Sequence, residues 1–203
     1  MNRPTIYRTV PMLALLLTTF CGGSSSENFD AKAPDVPYID QYNPAGKDAR
    51  YDGTENCGPA VLAGMAKARG LSAGLSDAAL INHLAQVAGT DPRSGTTGHG
   101  MLAGLAWLGM QSDANAGSDL DWVDNELTQG HDVIANGDFY SVPGRENPNL
   151  HAGHYIAITA AMDGWSSYKV TDPADGKVTS MTDSQIEKFI RSHPQGGFTI
   201  SGW

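Results

Sequence analysis

Cysteine is nearly missing from this chain, with two residues in 203. Two cysteines cannot staple a disulfide mini-domain. Basic residues are scarce too: 13 Lys and Arg stand against 22 Asp and Glu, a formal charge of -9. That excludes a nucleic-acid binder, which needs a basic face to neutralise phosphates. It also excludes adsorption onto anionic lipid by charge alone. No apolar run reaches the ~18 residues of a membrane-spanning helix. Charged residues are only 17% and hydrophobic ones 40%, so the composition is not that of a disordered acidic tail. Glycine is plentiful, at 24 residues. This is well above the usual ~7% and predicts a loop-rich fold. The length suits one domain with a real core.

The first twenty residues read as an export signal rather than as fold. Arg3 and Arg8 form a positive n-region, and residues 12–20 (MLALLLTTF) are a short apolar core. Cys21 and a Gly-Gly-Ser-Ser-Ser tether follow. This order resembles a bacterial lipoprotein signal, in which the Cys becomes the lipidated first residue. Phe20 stands where that signal normally has a small residue. Ordinary cleavage just past Cys21, near Gly23 or Ser24, is the other reading. Both readings export the chain, to the cell envelope as a lipoprotein or as a secreted protein. Any membrane contact is then through a lipid on Cys21. Removal of residues 1–20 leaves 11 basic residues against 22 acidic ones, a charge of -11. Cys57 becomes the sole thiol and has no intramolecular partner.

Residues 21–35 read as a flexible linker, and residues 36–203 as the folded domain. Residues 36–39 (VPYI) predict a short edge strand, followed by a polar loop over 43–56. A helix is expected over 59–68, with Pro59 in its first turn and Gly70 ending it. Ser76 caps a second helix with Leu80, Ile81, Leu84 and Val87 on one stripe. A Gly/Thr loop over 94–100 leads to a third helix ending at Leu108. Ser118 or Asp119 starts a fourth, carrying Trp122, Val123 and Leu127. After Gly130 the period changes, and strands are expected over 132–140, 154–161, 168–171 and 177–180. Thr182 and Gln185 make a capping box opening a helix to Arg191. Residues 198–200 form a last strand. Helices lead and strands follow, which is an α+β arrangement.

Cys57 sits just before the first helix, in Asn56-Cys57-Gly58-Pro59-Ala60. The positive end of a helix dipole and its unpaired N–H groups favour a thiolate. Gly58 lets backbone approach a substrate. A nucleophile also needs a base and a group that orients the base. Among six histidines, His154 stands out, because it begins an apolar strand right after Gly153. Asp172-Pro173 ends the next strand, so a hairpin brings Asp172 beside His154. An acid orienting an imidazole needs that placement. His151 and His154 would lie on opposite faces of one strand. With no HExxH and no second Cys in the mature chain, no metal is expected.

Asn56-Cys57-Gly58-Pro59-Ala60, then Gly153-His154-Tyr155-Ile156, then Thr171-Asp172-Pro173 resemble the papain-like cysteine peptidases. The likeness is to the bacteriocin-leader (double-glycine) peptidase-like group and its secreted single-domain relatives. It covers roughly residue 36 to the end. The resemblance implies a papain-like fold, with a nucleophile helix packed on an antiparallel sheet. It implies Cys57 as nucleophile, His154 as general base and acid, and Asp172 as the orienting carboxylate. It further implies Gln41 as oxyanion donor with the Cys57 backbone N–H. No cofactor is implied, and the partner is a peptide or protein substrate. The same machinery serves amidase and transglutaminase chemistry. A papain-like module that binds peptide at the envelope without cleaving it is the non-enzymatic alternative.

Overall fold

The computed structural model describes residues 29–42, 53–175 and 177–203. Cys21 and the export motif lie outside the described residues. In chain order the elements are β1 (Phe29–Lys32), α1 (Cys57–Ala68), α2 (Asp77–Val87), α3 (Gly98–Trp107), β2 (Ser112–Ala116), α4 (Leu120–Thr128), β3 (Asp132–Asp138), β4 (Gly153–Met162), β5 (Ser167–Asp172), β6 (Lys177–Thr182), α5 (Asp183–Arg191) and β7 (Phe198–Gly202). A 3₁₀ turn, Phe139–Ser141, follows β3. The α+β arrangement expected from the sequence is the one observed.

The strands form one antiparallel sheet in the order β2-β7-β3-β4-β5-β6, and β1 pairs with the far end of β4. Helices cover both faces. On one side, Leu62 and Met65 of α1, Leu80 and Leu84 of α2 and Leu105 of α3 pack on Ile134, Tyr155, Ala157 and Ile200 of the sheet. On the other, Val123 and Leu127 of α4 and Ile186, Phe189 and Ile190 of α5 pack on Val133, Ala135, Ile156, Ile158 and Val170. Alternate residues of β3 and β4 thus feed two cores, and all seven residues of β3 are buried. This explains why β4 reads as a nearly continuous apolar run rather than as polar/apolar alternation.

Local signals set the helix starts. Ser76, Thr97 and Asp119 cap α2, α3 and α4, their side chains accepting from Ala79 N, Gly100 N and Trp122 N. The Thr182–Gln185 capping box opens α5. Close approach demands glycine at 137: a Cβ there would lie 2.4 Å from Phe189 Cδ1 and 2.5 Å from the Phe189 carbonyl oxygen. Its absence seats α5 directly against the central strand.

Two expectations are corrected. Residues 36–39 are not a strand. The chain there runs past the sheet on single hydrogen bonds, from Ala33 N to Thr159 O at 2.9 Å and from Thr171 Oγ1 to Val36 O at 3.1 Å. Pro37 has no N–H to give a ladder. The segment is held by burial of Val36 and Ile39 instead. Conversely, part of the stretch expected as linker, residues 29–32, is β1, and Ala33 after it is buried. β1 is four residues long with no apolar run of its own, and β4's extra length gives it an edge to pair with. β2 (SDANA) was also unexpected, because Asp and Asn are poor strand formers.

Candidate active site

Cys57 is the first residue of α1 and is 6% exposed. The turn before it is tied by Asn56 N to Gly53 O at 3.2 Å, and Asn56 O accepts from Ala60 N at 2.9 Å. A Cβ on Gly58 would fall 2.8 Å from Met101 Sδ and 3.1 Å from Thr96 Oγ1. The bare backbone there lets the loop before α3 close against the nucleophile helix.

His154 comes from the start of β4 and Asp172 from the end of β5. The β4–β5 register pairs Ala157 with Thr171. One step further, Asp172 lies on the strand face that carries Ile156, and His154 is two residues along that face. The imidazole Nε2 donates to Asp172 Oδ1 at 2.8 Å. The ring's interaction with the Cys57 thiol falls to the remaining nitrogen, Nδ1. His154 and Asp172 are both essentially buried. Burial alone pulls the imidazole pKa down. The hydrogen bond to Asp172 and the Cys57 sulfur outweigh it and push the value up to about 9. Burial likewise pushes the Asp172 carboxyl up, and His154, the Ala174 N–H at 2.8 Å and Arg145 together hold it below the usual range.

Gln41 is buried beside this group, its backbone N–H donating to Pro173 O at 3.0 Å. Its side-chain Nε2 donates to Gly53 O at 3.0 Å and Thr54 O at 3.3 Å, and Oε1 has no partner among the described residues. The amide therefore braces the turn that leads into Cys57. To reach an oxyanion it must leave these carbonyls. Gln41→Ala is expected to lower kcat by on the order of 10² or more while KM changes less. It should also lower the unfolding free energy by about 1–3 kcal/mol, because two carbonyls lose their donor. Steady-state kinetics and denaturant titration check both.

A cleft of about 740 Å³ opens over the thiol. Gln41, Tyr42 and Thr54 wall one end beside Cys57, and residues 93–98 form a second wall. Asn136, Phe139, Tyr140, residues 151–155, residues 193–196 and Phe198 complete it. The Gly/Thr loop is thus both the lead-in to α3 and a cleft wall. Tyr155 ties it to the sheet by donating to Thr96 O at 2.8 Å. His151 reaches the cleft but is paired with Asp138, Nδ1 to Oδ2 at 3.0 Å. Among the described residues, no group of three or more His, Cys, Asp or Glu is placed to hold a metal.

Sequence reading missed Phe139 and Arg145, which flank the pair. The Phe139 ring meets His154 edge-on at 5.2 Å, and the Arg145 guanidinium lies 4.5 Å from the Phe139 centroid. Arg145 is the only Lys or Arg between Arg93 and Lys169. A lone cation in an acidic chain, in the connection just before the His strand, was the available signal.

No protein-family profile and no curated protein matches this chain. Solved structures do. The peptidase domain of Streptococcus ComA, a bi-functional ABC transporter involved in quorum sensing, superposes with a TM-score of 0.52 at 24% identity, covering 82% of this chain and 95% of that one. A double-glycine-motif protease from an AMS/PCAT transporter, solved with its leader peptide, gives 0.54 at 14% identity over 87% and 97%. A C39-like peptidase from Bacillus anthracis gives 0.57 at 13% identity over 85% and 96%. The chain has the fold of the double-glycine peptidases. That fold is papain-like, with a helix N-terminus facing an antiparallel sheet, and here those two places hold Cys57 and His154. At these identities the likeness concerns the fold, and the chemistry must be argued from the residues.

Proposed function

We propose that the protein is an exported thiol peptidase in which Cys57, His154 and Asp172 act as a triad. The observation that carries this reading is the buried imidazole of His154, held at 2.8 Å by Asp172 on one side and interacting with the helix-start thiol of Cys57 on the other. The thiolate attacks the carbonyl carbon of a peptide bond, and the carbonyl π electrons move to oxygen. Collapse breaks the C–N bond as His154 Nδ1 passes its proton to the leaving amine. A thioester remains on Cys57. Water adds to it while giving a proton to His154, and the acid and the thiol are released. Asp172 holds the ring's orientation and supports its charge. The substrate is an extended peptide lying in the cleft. The leader peptide bound by the AMS/PCAT protease supports this class.

Two measurements test the chemistry. Iodoacetamide at neutral pH should alkylate Cys57 faster than a free thiol of pKa ~8.5 and abolish cleavage in proportion. Equal or slower labelling would mark an inert thiol. The rate of cleavage should fall as pH rises through about 9, where His154 loses its proton. The same group links pH to stability. Its folded pKa lies above the ordinary ~6.5, so its stabilisation is full below pH ~6.5 and is lost as pH rises through the folded value. The unfolding midpoint should drop across that window.

Export rests on the first 26 residues. Mass spectrometry of the native protein is expected to find a diacylglyceryl-type adduct on Cys21, or a chain starting just beyond it. An intact Met1 in a cytoplasmic fraction would overturn export.

A further inference from the structure

The triad uses only one oxygen of Asp172. Oδ1 accepts from His154 Nε2 and from Ala174 N, each at 2.8 Å. Oδ2 is left over in a side chain that is 2% exposed, and it faces Arg145, whose Nη1 is 3.1 Å away. The other guanidinium nitrogen, Nη2, lies 2.8 Å from Asp175 Oδ2. The guanidinium also stacks over Phe139, at 4.5 Å from the centroid, and the edge of the same ring system meets His154 at 88°. Arg145 has little exposed side chain, and its backbone is fixed in a turn by Arg145 N donating to Val142 O at 3.0 Å.

From this arrangement we infer that Arg145 is a positioning residue, which locks the rotation of the Asp172 carboxylate and offsets its charge toward His154. The inference rests on the peptidase reading for the identity of the pair that Arg145 acts on. A carboxylate turns easily about its last torsion, which is broad and two-fold. A cation 3.1 Å from the second oxygen restrains that freedom as an ion pair; neither Oδ2 nor the Arg145 Nη atoms make a hydrogen bond among the described residues. Asp172 then divides its negative charge between guanidinium and imidazolium, so the proton on His154 is held less tightly than Asp172 alone would hold it. Phe139 presents its face to Arg145 and meets His154 edge-on, so the ring cannot shift without disturbing both. A role confined to tying the β3–β4 connection to the turn after β5 would affect stability and leave the titration of His154 alone.

The other titratable groups around the cleft are Tyr42, Glu55, Arg93, Tyr140, Tyr155, His151 paired with Asp138, and His193 against Gly153, with Asp175 on the far side of Arg145. All are present in every variant, so a difference between wild type and variant belongs to position 145. Iodoacetate is a suitable probe because it is an anion, drawn to the thiolate while the imidazolium stands beside it. Its rate with the wild type should fall as pH rises through about 9. In Arg145→Met that descending limb should move up by about one pH unit, as expected for removing a cation at this range. Peptide turnover at its optimum should fall about tenfold from lost orientation. Arg145→Lys should restore most of the limb and only part of the turnover, because an ammonium reaches one carboxylate and not two. Thermal melts confirm that each variant is folded. A folded Arg145→Met whose limb and turnover match the wild type overturns the inference, as does a limb that stays in place while only the melting point falls. Should Arg145→Met not fold, the neutral Arg145→Gln takes its place: reduced turnover with a limb moved up supports the inference, and a limb at its wild-type position overturns it. A wild type with no descending limb refutes the triad itself and the inference with it, whereas a normal wild type with unmoved variants refutes the inference alone.

Discussion

His154→Ala is expected to reduce peptide turnover to the level left by binding alone, a loss on the order of 10⁴-fold or more. His154 is the imidazole that interacts with the Cys57 thiol. His151 is the nearest in sequence, yet its Nδ1 is engaged by Asp138 at 3.0 Å. Asp172→Ala should cost less, on the order of 10²–10³, because the base remains and only its orientation and charge support are lost. The double variant should be about as slow as His154→Ala alone, since residues acting as one unit do not add. The change at Asp172 also leaves Arg145 facing a cavity without its buried counter-charge, so its melting point should fall more than that of His154→Ala. His151→Ala is expected to keep most activity. Loss of turnover in His151→Ala with retention in His154→Ala would reverse the base assignment.

Cys57→Ala should abolish cleavage completely and leave peptide binding in place. In the proposed mechanism the covalent intermediate forms on this thiol, so its removal is expected to cost on the order of 10⁴–10⁶ in kcat. The side chain is small and the backbone at the start of α1 is unchanged, so the variant should fold. Calorimetric binding of a cleaved peptide to Cys57→Ala, with no product after long incubation, is the expected result. Cleavage by this variant at a rate near wild type would move the chemistry away from Cys57. A wild type that binds peptide, resists alkylation and never cleaves would instead mark a binding module on the same fold.

Much of the architecture was legible because it is written locally. Caps at Ser76, Thr97, Asp119 and Thr182 mark helix starts by supplying oxygen to N–H groups that the helix cannot satisfy. The long apolar run of β4 marks a strand covered on both faces. The failures share a cause. β1 and β2 are short, and β2 is rich in Asp and Asn; the neighbours β4 and β7 make them strands. Residues 36–39 have the composition of a strand but lie where no ladder is offered, and Pro37 has no proton to give.

The site divides along the same line. Composition and order within the chain pointed to the proposed nucleophile: a thiol at the start of a helix, ahead of one histidine that opens an apolar strand. Those are properties of short segments, and they hold whatever surrounds them. Tertiary structure decided the rest. The hairpin order of the chain already put Asp172 beside His154; the antiparallel register of β4 and β5 sets the 2.8 Å contact across 18 residues. Only the packing of the turn before Cys57 shows that Gln41 spends its amide protons on Gly53 and Thr54. Arg145 and Phe139 gain their roles from contacts across the chain that no spacing encodes. A buried charge is tolerated where opposite charge and hydrogen bonds meet it, and that meeting is set by how distant segments pack.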